Sequence, residues 1–318
     1  MQRLQQSDPD GPGISRRRAG RGFIYLTPSN RPVAPKEKLR ITALAIPPAW
    51  RNVWICPRPN GHIQATGTDD AGRRQYIYHQ AWTEAQAKEK FIRAAELGAR
   101  LPQVRRRVAR HLRESTSPRT RTLAAALRLM DLGALRIGSE EYAAENGSFG
   151  LSTLESRHAS VSGTEVHLSF PGKSGQPWDL RLDDKLLADF LKPLAAQSGR
   201  SALLAYKVGE AWQSVDAQAV NEYISRVAGA GCSAKDFRTW KGTMTAAAEL
   251  ARTGGAPTGE AVSAAIVVAA EVLGNTVAVA RGSYVDPRLL DIYLKGGLAG
   301  VRPTDAAVSR LLGGAVGA

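Results

Sequence analysis

Only two cysteines, Cys56 and Cys232, occur in the 318 residues, far apart and in no metal-ligand spacing. A disulfide framework is therefore not expected, which suits a reducing compartment. Long apolar runs are also missing. The longest, AVSAAIVVAAEVL at 261–273, is too short to cross a bilayer as a helix and carries Glu271. The opening MQRLQQSDPDGPG holds no apolar signal core, so the expectation is a cytoplasmic protein. Acidic side chains are the third shortage: 29 Asp and Glu stand against 43 Lys and Arg, for a formal net charge of +14. Such a surplus favours a polyanionic partner, nucleic acid ahead of an anionic membrane surface. Charge alone does not separate binding a polyanion from acting on one.

What is present divides the chain in two. Residues 1–20 are polar and rich in Gly and Pro, and end in the basic cluster Arg16, Arg17, Arg18 and Arg21; they are expected to form a mobile tail. From 21 to 85, short β-like runs (FIYL, VWICP, HIQATG, RRQYIYH) alternate with Pro, Asn and Gly turn signals, which predicts a small β-rich domain. In GRRQYIYH, strand alternation puts Arg74, Tyr76 and Tyr78 on one face and Arg73, Gln75 and Ile77 on the other. Arg, Gln and Tyr suit contacts to base edges and phosphates. From 86 to 318 the period becomes helical, beginning with a long basic segment that continues to about Arg113. One stretch interrupts it. ESRHASVSGTEVHLSFPGKSGQPWDLRLDD (155–184) reads as a three-stranded antiparallel sheet with Lys173 at a hairpin tip. Its GKS is not a phosphate-binding P-loop, because His167 stands where the motif needs glycine and a strand follows where it needs a helix. The fold class expected is α+β: a β-rich N-terminal domain and a larger, mainly helical domain containing this sheet.

Tyr284, in LGNTVAVARGSYVDP (273–287), is the candidate nucleophile. With an ordinary pKa of about 10, a phenol attacks at neutral pH only where cationic donors gather around it.

Four segments taken together, LRIGSEEYAAENGSFGLSTL (135–154), FPGKSG (170–175), AKDFRTWKGT (234–243) and LGNTVAVARGSYVDP, resemble the type IB DNA topoisomerases, in particular their compact bacterial and poxvirus form. IPPAW (46–50) and NGHIQATGTDDAGRRQY (60–76) extend the resemblance into the N-terminal domain. It implies an enzyme that nicks and reseals one DNA strand through a 3′-phosphotyrosine, with neither ATP nor metal. The matched positions are Tyr284 as nucleophile, Arg136 and Arg238 as donors to the non-bridging phosphate oxygens, and Lys173 as general acid to the leaving 5′-oxygen. Asn275 stands where poxvirus and eukaryotic members carry histidine, and would donate an amide hydrogen. Arg73, Gln75, Tyr76, Tyr142 and Lys235 match DNA-contacting positions. Ser139 departs from a base-contacting lysine of the poxvirus enzyme, which leaves the cleavage-site preference open. Arg281 receives no role. Double-stranded DNA is the implied partner, gripped by a monomeric clamp in the nucleoid.

Two alternatives remain at this stage. Tyrosine recombinases share the Arg, Lys, Arg, Tyr set, but carry His-x-x-Arg where this chain has Lys235-Asp236-Phe237-Arg238, and LGH where it has LGN. A non-catalytic DNA-binding protein would account for the charge and leave the joint presence of the five site residues without a reason.

Overall fold

The computed structural model describes residues 3–197, 201–253 and 256–314. The architecture is α+β, and the chain divides into two compact units, Met1–Glu89 and Lys90–Ala318.

The first unit contains one antiparallel sheet built from β1 (Ile14–Ala19), β2 (Gly22–Leu26), β3 (Arg51–Ile55), β4 (Ile63–Thr68) and β5 (Arg74–Tyr78), in the order β2-β1-β3-β4-β5. A helix, α1 (Pro35–Ala43), lies between β2 and β3 in sequence. Alternate residues Ile14, Val53, Ile55 and Ala65 turn to one face and are buried with Ile41 of α1, as period-2 patterning requires.

The expected mobile tail over residues 1–20 is corrected here. β1 pairs with both β2 and β3, so it lies inside the sheet. Arg16 is the reason a basic stretch can do this. Its guanidinium donates to Pro47 O at 3.0 Å and Trp50 O at 2.6 Å, and stacks over Phe23, satisfying carbonyls of the IPPAW loop. Residues upstream are tied as well. Gln5 exchanges backbone hydrogen bonds with Asn60 and His62, and the Ser7 hydroxyl donates to Ile63 O at 2.9 Å.

The division between the units falls within α2 (Gln80–Glu114), slightly beyond the boundary expected at residue 85. In the second unit α2 buries Phe91, Ala94, Leu97, Leu101, Val104, Val108 and Leu112, a stripe at helical spacing, and leaves most of its arginines on the solvent side. The helices α3 (Pro118–Gly133) and α4 (Glu140–Asn146) follow. Next come β6 (Ala159–Ser162), β7 (Glu165–Pro171) and β8 (Pro177–Asp183), the three-stranded antiparallel sheet that the alternation predicts. After α5 (Lys185–Ala195) a small hairpin appears, β9 (Ala205–Val208) with β10 (Ala211–Ser214). It escapes a sequence reading because β10 is exposed along its whole length, leaving no apolar alternation to detect. The rest is helical: α6 (Ala217–Ala228), α7 (Ala234–Arg252), α8 (Gly259–Leu273), α9 (Val277–Ser283), α10 (Pro287–Leu294) and α11 (Asp305–Gly314).

The central element is α7, which packs along α8 and buries Phe237, Arg238, Thr239, Trp240, Ala246, Ala247 and Leu250. Trp240 ties the C-terminal helix to it. The indole N–H donates to Asp305 Oδ1 at 2.7 Å, and Arg105 donates to Asp305 Oδ2 at 2.5 Å. Further along α11, Ser309 donates to Ala95 O, and Val308 and Leu312 are buried. The described chain after Gly297, through α11, is thus packed into the second unit. Replacing Asp305 by Ala strands the buried Trp240 N–H, and should destabilise the protein by about 1–3 kcal/mol. Urea unfolding of the variant against wild type measures this; an unchanged unfolding free energy would contradict it.

Candidate active site

Arg136 reaches the site because α3 ends abruptly. The helix opens on Ser117, whose hydroxyl accepts from Thr120 N, with Pro118 in the first turn, and closes at Ala134, in the left-handed region at φ 52° and ψ 30°. The turn buries Leu135 and leaves Arg136 half-buried beside the end of α8. There Arg136 Nη2 donates to Gly274 O at 2.9 Å and to Asn275 Oδ1.

Arg238 comes from the first turns of α7. The Asp236 carboxylate accepts from the backbone N and the hydroxyl of Ser233, at 2.9 and 2.8 Å, which fixes where the helix starts. Arg238 is 3% exposed. It donates to Ala134 O and, at 2.8 Å, to Leu273 O. Both acceptors lie at helix C-terminal ends, where carbonyls lack helical partners and the dipole is negative. Two arginines from separate elements therefore converge on the turn Leu273-Gly274-Asn275.

Tyr284 sits where α9 ends, half-buried, with its ring 5.2 Å from the Arg238 guanidinium carbon. Its main chain is clamped. Thr243 Oγ1 donates to Tyr284 O at 3.2 Å and accepts from Asp286 N at 3.1 Å. Lys90 Nζ donates to Ser283 O at 2.9 Å. Gly242 permits this approach, since a Cβ at that position would stand 2.7 Å from Tyr284 O.

The two arginines form no ion pair with a carboxylate among the described residues. Burial, followed by the charge of Arg136, lowers the Arg238 pKa to about 10, against a smaller opposing effect from Tyr284. Burial also lowers that of Arg136. No carboxylate contributes to either shift. At the Leu273–Asn275 turn two buried donors, Asn275 Nδ2 and Arg238 Nε, have no hydrogen-bond partner among the described residues. Because the amide oxygen of Asn275 accepts from Arg136, its NH2 is left for another acceptor. The arrangement suits an anion with several oxygens.

Lys173 is exposed at the tip between β7 and β8, and lines with Arg136, Ser139 and Phe149 a cavity of about 290 Å³. Lys235 is exposed on α7, one turn before Arg238. Arg281 is exposed on α9. The side chain of Tyr142, expected to contact DNA, lies outside the described residues. In the first unit the strand faces separate the remaining candidates. Tyr76 is exposed, stacks on Tyr78 at 5.9 Å and carries the Arg74 guanidinium over its ring. Gln75 lies on the opposite face, where it and Arg73 both donate to Asp69. The structure thus puts Arg74 and Tyr78 beside Tyr76, and does not put Gln75 there.

Lys90, Gly242 and Thr243 were missed as site residues by the sequence reading. Gly242 and Thr243 lie in the TWKGT segment, where spacing gives no sign that they meet Tyr284. Lys90 is one basic residue in a basic helix. Burial, then the charge of Lys235, lowers its pKa to about 8 from 10.5, with Asp286 and Asp236 opposing. The unfolded chain therefore binds a proton between about pH 8 and 10.5 that the folded protein does not. This contribution to stability grows as pH rises through that window and is a penalty below it. The stability of wild type relative to Lys90→Met should rise between pH 7.5 and 9.5, as read from urea unfolding at each pH; a pH-independent difference would refute the shift.

Comparison with known proteins agrees with the geometry. The family model for the catalytic core of eukaryotic DNA topoisomerase I matches residues 79–282, and that for the N-terminal domain of bacterial DNA topoisomerase IB matches residues 22–69. The first match stops just before Tyr284. The chain is 34% identical to the DNA topoisomerase 1B of Acanthamoeba polyphaga mimivirus over 72% of its own length and 69% of that protein. It is 25% identical to the DNA topoisomerase I of Monkeypox virus over 71% of each chain. With Mycosarcoma maydis DNA topoisomerase 1 it shares 26% identity over 55% of this chain and 19% of that protein. With two family models in chain order and a relative above 30% identity across most of its length, this chain belongs to the type IB DNA topoisomerases.

Proposed function

We propose that this topoisomerase relaxes supercoiled duplex DNA by transesterification without ATP or metal, with Tyr284 as the nucleophile. The observation that carries the reading is the pair Arg136 and Arg238, half-buried and buried, at the Tyr284 ring with no carboxylate to balance them. A phosphodiester bound there restores charge balance. As the phenolic oxygen attacks, negative charge grows on the non-bridging oxygens, and donors already in place stabilise it without reorganising. Guanidinium suits this task because it stays charged and presents paired donors. The Asn275 amide nitrogen, without a partner among the described residues, adds a neutral donor.

Departure of the 5′-oxygen requires a proton, and Lys173, on a hairpin tip beside the Arg136 cavity, is assigned to supply it. The 3′-phosphotyrosyl bond retains the energy of the broken ester, so the 5′-hydroxyl reseals the strand after rotation with no nucleotide cofactor. The partner is double-stranded DNA, held by a monomer that closes as a clamp in the bacterial cytoplasm. The exposed Arg74, Tyr76 and Tyr78 face and the exposed Lys235 are the surfaces assigned to the duplex. A surplus of basic over acidic side chains makes binding salt-sensitive, since phosphate contacts release counterions.

Plasmid relaxation in EDTA without ATP is the direct test. Tyr284→Phe should abolish it and the covalent adduct on suicide DNA, with DNA affinity within about threefold of wild type, because only the attacking oxygen is lost. An adduct mapped to another tyrosine, or to the 5′ side of the break, would sink the assignment. Arg238→Ala should slow cleavage by on the order of 10²- to 10³-fold, the usual cost of removing one donor to developing charge; single-turnover cleavage on a suicide substrate reads this.

A further inference from the structure

Lys173 is exposed, yet the hairpin that carries it is braced on both flanks. On one flank Phe149 N donates to Pro171 O at 2.8 Å. At the tip Gly172 N donates to Gln176 O at 2.7 Å, and the turn passes through positive φ at Ser174 (61°) and Gly175 (72°). Among the described residues the other flank has no hydrogen bond to the active-site turn. It has an indole.

Trp178 stands on β8 opposite Phe170, with the rings 6.1 Å apart and within 3° of parallel. The pyrrole edge of Trp178 lies against Gly172, so close that a Cβ there would stand 2.4 Å from Cδ1. The adjoining Cζ2–Cε2–Nε1 side lies against Gly274, where a Cβ would stand 3.0 Å from Cζ2. Gly172 precedes Lys173, and Gly274 precedes Asn275. The carbonyl of Gly274 is also an acceptor of Arg136. One rigid side chain thus spans from the residue before the proposed general acid to the turn that holds the phosphate donors. Beyond it lies an open cavity of about 620 Å³, which Trp178 lines with Lys241, Glu271 and Gly274.

We propose that Trp178 is a positioning residue for Lys173: its indole, wedged between Gly172 and Gly274, sets the distance of the hairpin tip from the Arg136–Asn275 turn. The inference rests on the general-acid assignment of Lys173. A lysine on an exposed turn samples many positions, and proton transfer requires one within hydrogen-bond reach of the 5′-oxygen. The planar, two-ring wedge narrows that range at the backbone, before Lys173's own side chain is considered. The contact with both glycines makes the spacing discrete, because close-packed aromatic and backbone surfaces do not deform gradually.

The test compares wild type, Trp178→Ala, Trp178→Phe, Lys173→Ala and Trp178→Ala/Lys173→Ala in single-turnover cleavage. Each is run on a natural phosphodiester and on a 5′-bridging phosphorothiolate, whose leaving group needs no proton. Trp178→Ala should slow cleavage of the phosphodiester on the order of 10- to 100-fold, the scale of a misplaced catalytic group. Trp178→Phe should fall between, since a phenyl ring keeps part of the wedge but lacks the Nε1 edge that meets both glycines. On the phosphorothiolate both should return to near wild-type rates. In the Lys173→Ala background, removing Trp178 should cost nothing further, because a residue acting through Lys173 has nothing left to act on. Equal loss on both substrates, additive loss in the double variant, or no loss at all would each overturn the inference while leaving the role of Lys173 standing. If Lys173→Ala itself is not rescued by the phosphorothiolate, the general-acid reading fails and takes this inference with it.

Discussion

Two guanidinium groups held near each other without a carboxylate are the constraint around which the second unit is arranged. Like charges in a half-buried site repel, and the lowered pKa of Arg238 registers that cost together with the cost of burial. The protein offsets it with backbone. Carbonyls of Ala134, Leu273 and Gly274 accept from the two arginines, and all three belong to turns where helices stop. A carboxylate would stabilise the pair better and would also neutralise it. Carbonyls orient the donors and leave the charge free for the phosphate of the proposed mechanism.

That choice explains the local structure around the site. α3 must stop at Ala134, in a conformation unusual for a residue with a Cβ, so that its carbonyl faces Arg238. α8 must end in a tight turn at Gly274, which presents Gly274 O and Asn275 Oδ1 to Arg136. α7 must begin at a defined residue, which the Ser233–Asp236 pair secures, so that Arg238 and Gly242 fall on its inner face. Gly242 then lets Tyr284 come close enough for Thr243 to hold its carbonyl. Helix termini, more than helix bodies, build this site.

Around this centre the residues proposed to meet DNA are presented on exposed ground. Lys173 stands at a hairpin tip, Lys235 on the outer side of α7, and Tyr76 with Arg74 and Tyr78 on an open strand face. The division follows from solvation. Groups that stabilise charge at the reacting phosphorus gain from low dielectric and fixed geometry. Groups that grip a polyelectrolyte must be reachable from water and exchange counterions.

The sequence by itself determined the α+β class, the three-stranded sheet carrying Lys173, and the candidate set Arg136, Lys173, Arg238, Asn275 and Tyr284. These are legible because sheet and helix differ in hydrophobic period, and because the catalytic residues occur in segments that resemble those of a family in a fixed order. Only tertiary structure decided that residues 14–19 form a strand inside a sheet, since Arg16 stabilises it through carbonyls some thirty residues away. It alone gave Gln75 its partner, Asp69, on the face opposite Tyr76, and brought Lys90, Gly242, Thr243 and Trp178 to the site. A lysine bonded to a backbone carbonyl 193 positions further on leaves no periodic trace. Neither does a glycine whose missing Cβ makes room for a distant carbonyl, or a tryptophan that fills the gap between two turns. Such contacts depend on where helices end in space, and sequence pattern reports which residues face inward without reporting what they meet.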